Sequence, residues 1–322
     1  MKAAVYYETG PPSVFRYEDV ADPVCADDGV LIEVRAVSIE GGDTLNRAGG
    51  ALASVPHIVG YQCGGIIREA GAKVTDRRPG DAVVAMMPHG SHASLVAVPT
   101  TNTWPVPSGL DITAAACVPI AFGTADDCLF EFGKLQAGET VLVQAGAGGV
   151  GLAAVQLAKR AGATVLATAS SDDKLARLKE FGLDHGINYK TQDFVAAARE
   201  LTGGRGVDLV VDSVGGRTLQ GSIECLRYRG RAITVGQAGR DEERPDIRAL
   251  SAGNRSLTGV FLGAETVMRP ERVRPMIARL LDDVASGALR VVIDRTYPLS
   301  EAAAAHAHIE SRQAFGRVML AP

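Results

Sequence analysis

The sequence predicts an α/β chain made of a β-rich, barrel-like domain and a doubly wound parallel-sheet domain. Three observations predict it. A chain of 322 residues can bury two cores of ordinary size. Up to about residue 120, short β-rich runs are broken by turn residues. From about residue 140 to residue 260, apolar strand candidates alternate with helical segments.

In the first part, residues 29–34, 64–67 and 81–85 are β-rich. Breaks at Gly10-Pro11-Pro12, Arg78-Pro79-Gly80 and Pro107-Ser108-Gly109 separate such runs. Short strands spaced by turn signals argue for a barrel-like or partly closed sheet. In the second part, residues 140–143 read as a buried strand and 151–161 as a helix with apolar residues at helical spacing. Residues 164–168, 207–211 and 231–235 continue the strands, and 172–181 supply a second helix. Continuous apolar strands between helices imply a parallel sheet covered on both faces. The last stretch predicts a helix over 271–286, a strand over 290–293, an Ala-rich helix over 301–308 and a strand over 317–320.

Composition narrows the function. Hydrophobic residues make up 46% and charged residues 22%, the balance of a soluble globular protein. The net charge is -4 and no Lys/Arg-rich run appears, so nucleic acid is not an expected partner. No apolar stretch reaches the roughly 18 residues of a membrane span. The opening MKAAVYYETG lacks a secretory apolar segment, and a cytoplasmic location is the expectation. Five cysteines, scattered and never in a CxxC pair, support neither a disulfide framework nor a thiolate metal site.

The chemistry-bearing motif is Gly146-Ala147-Gly148-Gly149-Val150-Gly151, a GxGxxG between a strand and a helix. Gly146 is expected to permit the tight turn, Gly148 to admit a pyrophosphate, and Gly151 to let helix and strand pack closely. The helix N-terminus offers N–H groups and a positive dipole end to phosphates. An NAD site usually places a carboxylate about 20 residues further on. Here Ala169-Ser170-Ser171 occupies that region, and Asp172 and Asp173 fall where they open the next helix. Ser170, Ser171 and Lys174 suit a 2′-phosphate, which needs donors and positive charge, so NADP(H) is favoured over NAD(H).

With these residues, the chain resembles the zinc-independent branch of the medium-chain dehydrogenase/reductase superfamily, the NADPH quinone oxidoreductases and their enoyl-reductase relatives. The resemblance is carried by Gly10-Pro11-Pro12, by Asp43 with Arg47 and Gly49, and by 59–65 in place of a GHE-type segment. Pro79-Gly80-Asp81, Gly123-Thr124-Ala125, Asp212-Ser213-Val214-Gly215 and Phe315-Gly316-Arg317-Val318 also match. It implies a GroES-like catalytic domain over 1–120 and 262–322, a Rossmann-type NADP(H)-binding domain over 121–261, and a homodimer. It further implies that Ser170 and Lys174 hold the 2′-phosphate, that Tyr189 lies near the same group and that Thr124 lies by the nicotinamide. Val214 and Gly236 would line the cofactor, Phe261 and Leu262 would approach the nicotinamide amide, and Phe315 and Arg317 would return the tail to the cofactor.

Departures from the family pattern carry information. Where the zinc-dependent branch has Cys and His ligands, this chain has Glu40 and Tyr61, and no cysteine lies between Asp81 and Pro99. No metal is expected. The tyrosine proposed as proton donor in some enoyl reductases is replaced by Ala51. Tyr61, Glu40 and water are the candidate acids. His89 and His92 read as packing residues, and no Ser-His-Asp or HExxH arrangement supports hydrolysis. The expected function is NADPH-dependent reduction of a quinone or of the conjugated C=C of a small carbonyl substrate. A non-catalytic, crystallin-like NADPH-binding protein and a pathway reductase of a carrier-bound enoyl intermediate remain the alternatives.

Overall fold

Runs of aliphatic and β-branched residues punctuated by Gly and Pro become seven strands in the first part of the chain. These are β1 (Lys2–Val5), β2 (Arg16–Asp19), β3 (Gly29–Ser38), β4 (Gln62–Ala70), β5 (Ala82–Met86), β6 (Leu95–Pro99) and β7 (Thr103–Pro105). Helix α1 (Gly41–Gly49) connects β3 to β4, and α2 (Ile112–Ala115) and α3 (Val118–Asp126) follow β7. The structure, a computed structural model, describes residues 1–322. It divides into a first unit of Met1–Ile120 with Thr266–Pro322 and a second unit of Ala121–Glu265.

The second unit alternates strand and helix. In order they are β8 (Thr140–Val143), α4 (Gly149–Arg160), β9 (Thr164–Ala169), α5 (Asp172–Lys179), β10 (His185–Asn188) and α6 (Phe194–Leu201). Then come β11 (Val207–Asp212), α7 (Gly216–Glu224), β12 (Leu226–Thr234), α8 (Arg248–Ser251) and β13 (Ser256–Gly259). The sheet order is β10-β9-β8-β11-β12-β13, and every pairing is parallel. The order reverses between β8 and β11, the switch point at which doubly wound sheets bind ligands beyond the strand C-termini. Val141, Leu142, Val143, Val165, Leu166, Val210 and Val211 are buried, as strands covered on both faces require.

The chain then returns through α9 (Leu262–Met268), α10 (Pro270–Ala285), β14 (Ile293–Pro298), α11 (Ala302–Glu310) and β15 (Arg317–Ala321). In the first unit β15 pairs antiparallel with β3, with Met319 opposite Ser38 and Leu320 opposite Val37. The seven-stranded sheet runs β14-β15-β3-β4-β5-β7, with β6 also on β3. Its core packs Val30, Ile32, Val34, Ile67, Val83 and Val96 against Val318 and Leu320 of the tail.

The strand expected over 290–293 lies instead at Ile293–Pro298. It is an edge strand, almost wholly exposed, so its residues carry no apolar alternation. The expected strand at 231–235 starts earlier, at Leu226, and a register shift where it pairs with β11 lets polar Arg227, Tyr228 and Arg229 stand in it. His92 packs as expected: fully buried, stacked on Phe15, with its Nε2 3.0 Å from Nε2 of His306.

Candidate functional site

The glycine turn lies at the C-terminal end of β8. Helix α4 begins at Gly149, with Gly148 as its N-cap and no side chain capping it. The N–H groups of Gly149, Val150 and Gly151 precede the first helical bond, from Leu152 N–H to Gly148 O at 2.8 Å. They are donors without an intrahelical acceptor, the arrangement that receives a phosphate. A side chain at Gly148 would meet only Ala145 O, at 3.3 Å, so its outer face is open. At Gly151 a Cβ would sit 2.3 Å from Ala145 O, which confirms that helix and turn touch there. The left-handed residue of the turn is Ala145, at φ 52°. Gly146 is glycine because a Cβ would come 2.8 Å from Cβ of Ala167 on the next strand.

A buried chain of hydrogen bonds, not read from the sequence, holds Ala145. Its N–H donates to Thr168 Oγ1 at 3.1 Å, and the Thr168 hydroxyl donates to Gln144 Oε1 at 2.7 Å. Gln144 Nε2 donates to Ser222 Oγ at 3.1 Å, and the Ser222 hydroxyl donates to Asp212 Oδ2 at 2.7 Å. Asp212 Oδ1 accepts from Val214 N–H and Gly215 N–H at 2.8 and 2.9 Å. Burial raises the Asp212 carboxyl from its ordinary value, against the pull of these donors. The chain ties β8, β9, β11 and α7 together directly beneath the turn. Gln144 and Thr168 are the signal: polar residues, both buried, at the ends of apolar strands.

The residues assigned to the 2′-phosphate gather at the C-terminal ends of β9 and β10. Asn188 pairs with Ala169, and Tyr189 N–H donates to Ala169 O at 3.2 Å, so Ser170 and Tyr189 leave adjacent strand ends. Tyr189 is 40% exposed. Ser171 is the N-cap of α5, its Oγ accepting from Lys174 N–H at 3.4 Å, which leaves its own hydroxyl proton to donate. Asp172 and Asp173 lie in the first turn of α5, and Asp172 Oδ1 accepts from Asn188 Nδ2 at 2.9 Å. The carboxylate that would compete for a ribose hydroxyl is thus tied back into the fold. Val214 and Gly236 follow the C-terminal ends of β11 and β12, on the same edge of the sheet. Thr124 is buried on α3, Leu262 is buried at the start of α9, and Phe261 is 74% exposed. A cavity of about 400 Å³ at the opposite ends of β8 and β11 is lined by Glu139, Arg205, Asp208 and Arg227. Asp208 pairs there with Arg227, and Glu139 with Arg231.

The acid candidates lie in the first unit. Glu40 is the N-cap of α1 and is 5% exposed. Its Oε1 accepts from Arg317 Nη2 and from Gln62 Nε2. Burial raises the Glu40 carboxyl from its ordinary value, and Arg317 and Gln62 pull it back. Arg317 is held cationic by the same partner, its guanidinium raised from its ordinary value despite burial. Glu40 is therefore an ion-paired carboxylate. Asp43 closes the helix start, its Oδ2 accepting from Glu40 N–H at 2.8 Å, while its Oδ1 is buried without a partner. Burial pushes the Asp43 carboxyl well above the usual range. Tyr61, part-buried, is different: burial first, then the charges of Asp43 and Glu40, push its phenol up to about 12.

Phe315 and Arg317, the two tail residues expected at the cofactor, are both buried. Phe315 is 1% exposed. Arg317 donates through Nε and Nη2 to Ser38 Oγ at 2.9 and 2.7 Å, and through Nη2 to Ile39 O at 2.8 Å, besides its bond to Glu40. The β3–β15 pairing brings Arg317 to Ser38, Ile39 and Glu40. Gln62 is a residue the sequence reading passed over. It is fully buried, and its Oε1 accepts from Ile120 N–H at 3.0 Å, so it links Glu40 to the start of the helical segment.

A β-rich unit interrupted by a Rossmann-type unit with an uncapped glycine-turn helix defines the class of dinucleotide-dependent two-domain oxidoreductases. Comparison with known proteins fixes the family. The model of the alcohol dehydrogenase GroES-like domain matches residues 26–108, and that of the zinc-binding dehydrogenase domain matches 149–282. A 2-haloacrylate reductase of Burkholderia sp is 34% identical over 99% of this chain and 98% of its own. The quinone oxidoreductase of Rattus norvegicus is 31% identical over 99% and 97%. The Escherichia coli quinone oxidoreductase complexed with NADPH superposes over 100% of both chains with a TM-score of 0.93 at 27% identity. The chain belongs to the quinone oxidoreductase branch of the medium-chain dehydrogenase/reductase superfamily.

One family model carries zinc in its description, and the residues here do not fit zinc. Glu40 is committed to Arg317 and Gln62, Tyr61 is a protonated phenol, and no three His, Cys, Asp or Glu side chains converge.

Proposed function

We propose that this protein is an NADPH-dependent reductase that delivers hydride to a quinone or to the β-carbon of a conjugated C=C–C=O substrate, with Tyr61 as the proton donor. The observation that carries the reading is the uncapped N-terminus of α4, together with Ser170 and Tyr189 just beyond the ends of β9 and β10 and Lys174 in the first turn of α5. NADPH, when bound, supplies the hydride. Gly149, Val150 and Gly151 N–H groups hold the pyrophosphate, and Ser170, Ser171, Lys174 and Tyr189 hold the 2′-phosphate.

Reduction leaves an anion that needs one proton. Tyr61 keeps its proton at neutral pH and can give it. Glu40 is the weaker candidate, because protonating it would leave the Arg317 charge buried and unpaired. We assign Glu40 instead to holding Arg317, α1 and Gln62 in place. The relatives' names support both acceptor classes: one reduces a 2-haloacrylate, another a quinone. Further support for a cytoplasmic homodimer is the presence of five free thiols and of an open edge strand, β13, on the second unit's sheet.

The test is NADPH oxidation across quinones, enals, enones and enoyl thioesters. Turnover with at least one of them is expected. Tight NADPH binding without turnover on any acceptor would establish the non-catalytic alternative instead.

A further inference from the structure

We propose that Thr168, Gln144 and Ser222 are positioning residues for NADPH. With Asp212 as anchor, they form a one-way hydrogen-bond chain that holds the glycine turn in the conformation that offers its N–H groups to the pyrophosphate. This rests on the reading of that turn as the pyrophosphate site. Three observations carry it. Ala145 is left-handed, at φ 52°, a conformation that its Cβ disfavours, so the surroundings must hold it there. Thr168 holds the turn at two successive residues: its Oγ1 accepts from Ala145 N–H at 3.1 Å, and its C=O accepts from Gly146 N–H at 2.8 Å. Ala145 O in turn accepts from Gly148 N–H at 2.9 Å, which fixes the N-cap of α4 and with it the N–H groups of Gly149, Val150 and Gly151.

The direction of the chain follows from counting protons. Gln144 and Thr168 are each 2% exposed and Ser222 and Asp212 fully buried, so an unspent proton among them is costly. Asp212 receives three donors and offers none, as a carboxylate does: Val214 N–H and Gly215 N–H on Oδ1, and the Ser222 hydroxyl on Oδ2. Ser222 spends its only proton there. Its oxygen is left to accept, and Gln144 must present Nε2 to it. Gln144 Oε1 then faces Thr168, which spends its proton on that oxygen and keeps a lone pair for Ala145 N–H. If the Gln144 amide were turned over, Nε2 would face the Thr168 oxygen and the Thr168 proton would have no acceptor.

The charge of Asp212, at the end of β11, thus orients a bond at the end of β8, four hydrogen bonds away. The same carboxylate holds the Val214–Gly215 turn. Two turns at neighbouring strand ends are therefore referred to one buried group.

The experiment reads NADPH affinity by fluorescence titration and the Ala145 amide by 15N NMR, its resonance assigned by loss in Ala145→Gly. Thr168→Val keeps the shape of the side chain and removes its hydroxyl, whereas Thr168→Ser keeps the hydroxyl. Ser222→Ala breaks the chain at a small side chain and is the second probe should Thr168→Val not fold. Thr168→Val and Ser222→Ala are expected to raise Kd and KM for NADPH about five- to tenfold, with kcat at saturating NADPH held within about twofold. Thr168→Ser is expected to restore affinity. Asp212→Asn, whose amide can donate to Ser222, is expected to shift the Ala145 resonance although it lies four bonds away in the chain. Unchanged affinity in Thr168→Val and Ser222→Ala, a Thr168→Ser variant as weak as Thr168→Val, or an Ala145 resonance unmoved in Asp212→Asn would overturn the inference. If Gly148→Ala bound NADPH as the unaltered protein does, the reading of the turn would fall, while the Ala145 resonance would still decide the direction of the chain.

Discussion

Tyr61 keeps its proton at neutral pH because burial and the charges of Asp43 and Glu40 push its phenol up to about 12. Tyr61→Phe is therefore expected to lower kcat at least about 10²-fold while leaving NADPH affinity intact; a variant with full turnover, measured with any acceptor that the protein reduces, removes the phenol from the mechanism. Glu40 predicts a different outcome. Glu40→Gln leaves the Arg317 guanidinium buried without its counter-charge, which costs about 3–5 kcal/mol of stability. Chemical denaturation reads that loss, and unchanged stability would contradict the ion pair. Both residues were legible in the sequence as departures from a family pattern. What separates them was not, because the partner of Glu40 lies 277 residues away and reaches it only through the β3–β15 pairing.

At the scale of the element, the glycine turn divides its work among its positions, and Gly148 and Gly151 separate in a test. Gly151→Ala drives a methyl into the backbone of Ala145, and a drop in thermal stability together with weakened NADPH binding is expected. Gly148→Ala meets little protein and has an ordinary φ of -83°, so the fold is expected to hold while NADPH affinity falls. Equal stability losses in calorimetry, or an unaffected NADPH affinity in Gly148→Ala, would reverse this division. The buried strands β8, β9 and β11 were legible from their apolar runs. The short β10 and β13 and the exposed β14 were not, since four residues are too few to show a period and six almost wholly exposed ones show none. The Asp212–Ser222–Gln144–Thr168 chain was hidden for another reason: Asp212 was legible only as part of a family segment, Gln144, Thr168 and Ser222 carry no signal alone, and only the parallel register brings them together.

Across the whole molecule, acid sensitivity is set in the first unit by the His92–His306 pair. Burial lowers His92 to about 3 and His306 well below its ordinary value, so both rings are neutral in the folded protein. The unfolded chain takes up these protons near pH 6.5. Stability is thus full above about 6.5 and declines as pH falls toward about 3, by up to ~1.4 kcal/mol per pH unit for each ring. Urea denaturation over that range is expected to show a shallower decline in His306→Phe; an identical slope would place the acid response elsewhere.

The central claim is that the second unit reads a 2′-phosphate. Steady-state oxidation of NADPH and of NADH with the same acceptor tests it most directly. The expected result is a clear preference for NADPH in kcat/KM that shrinks in Ser170→Ala and Lys174→Ala. Equal or better use of NADH would contradict it.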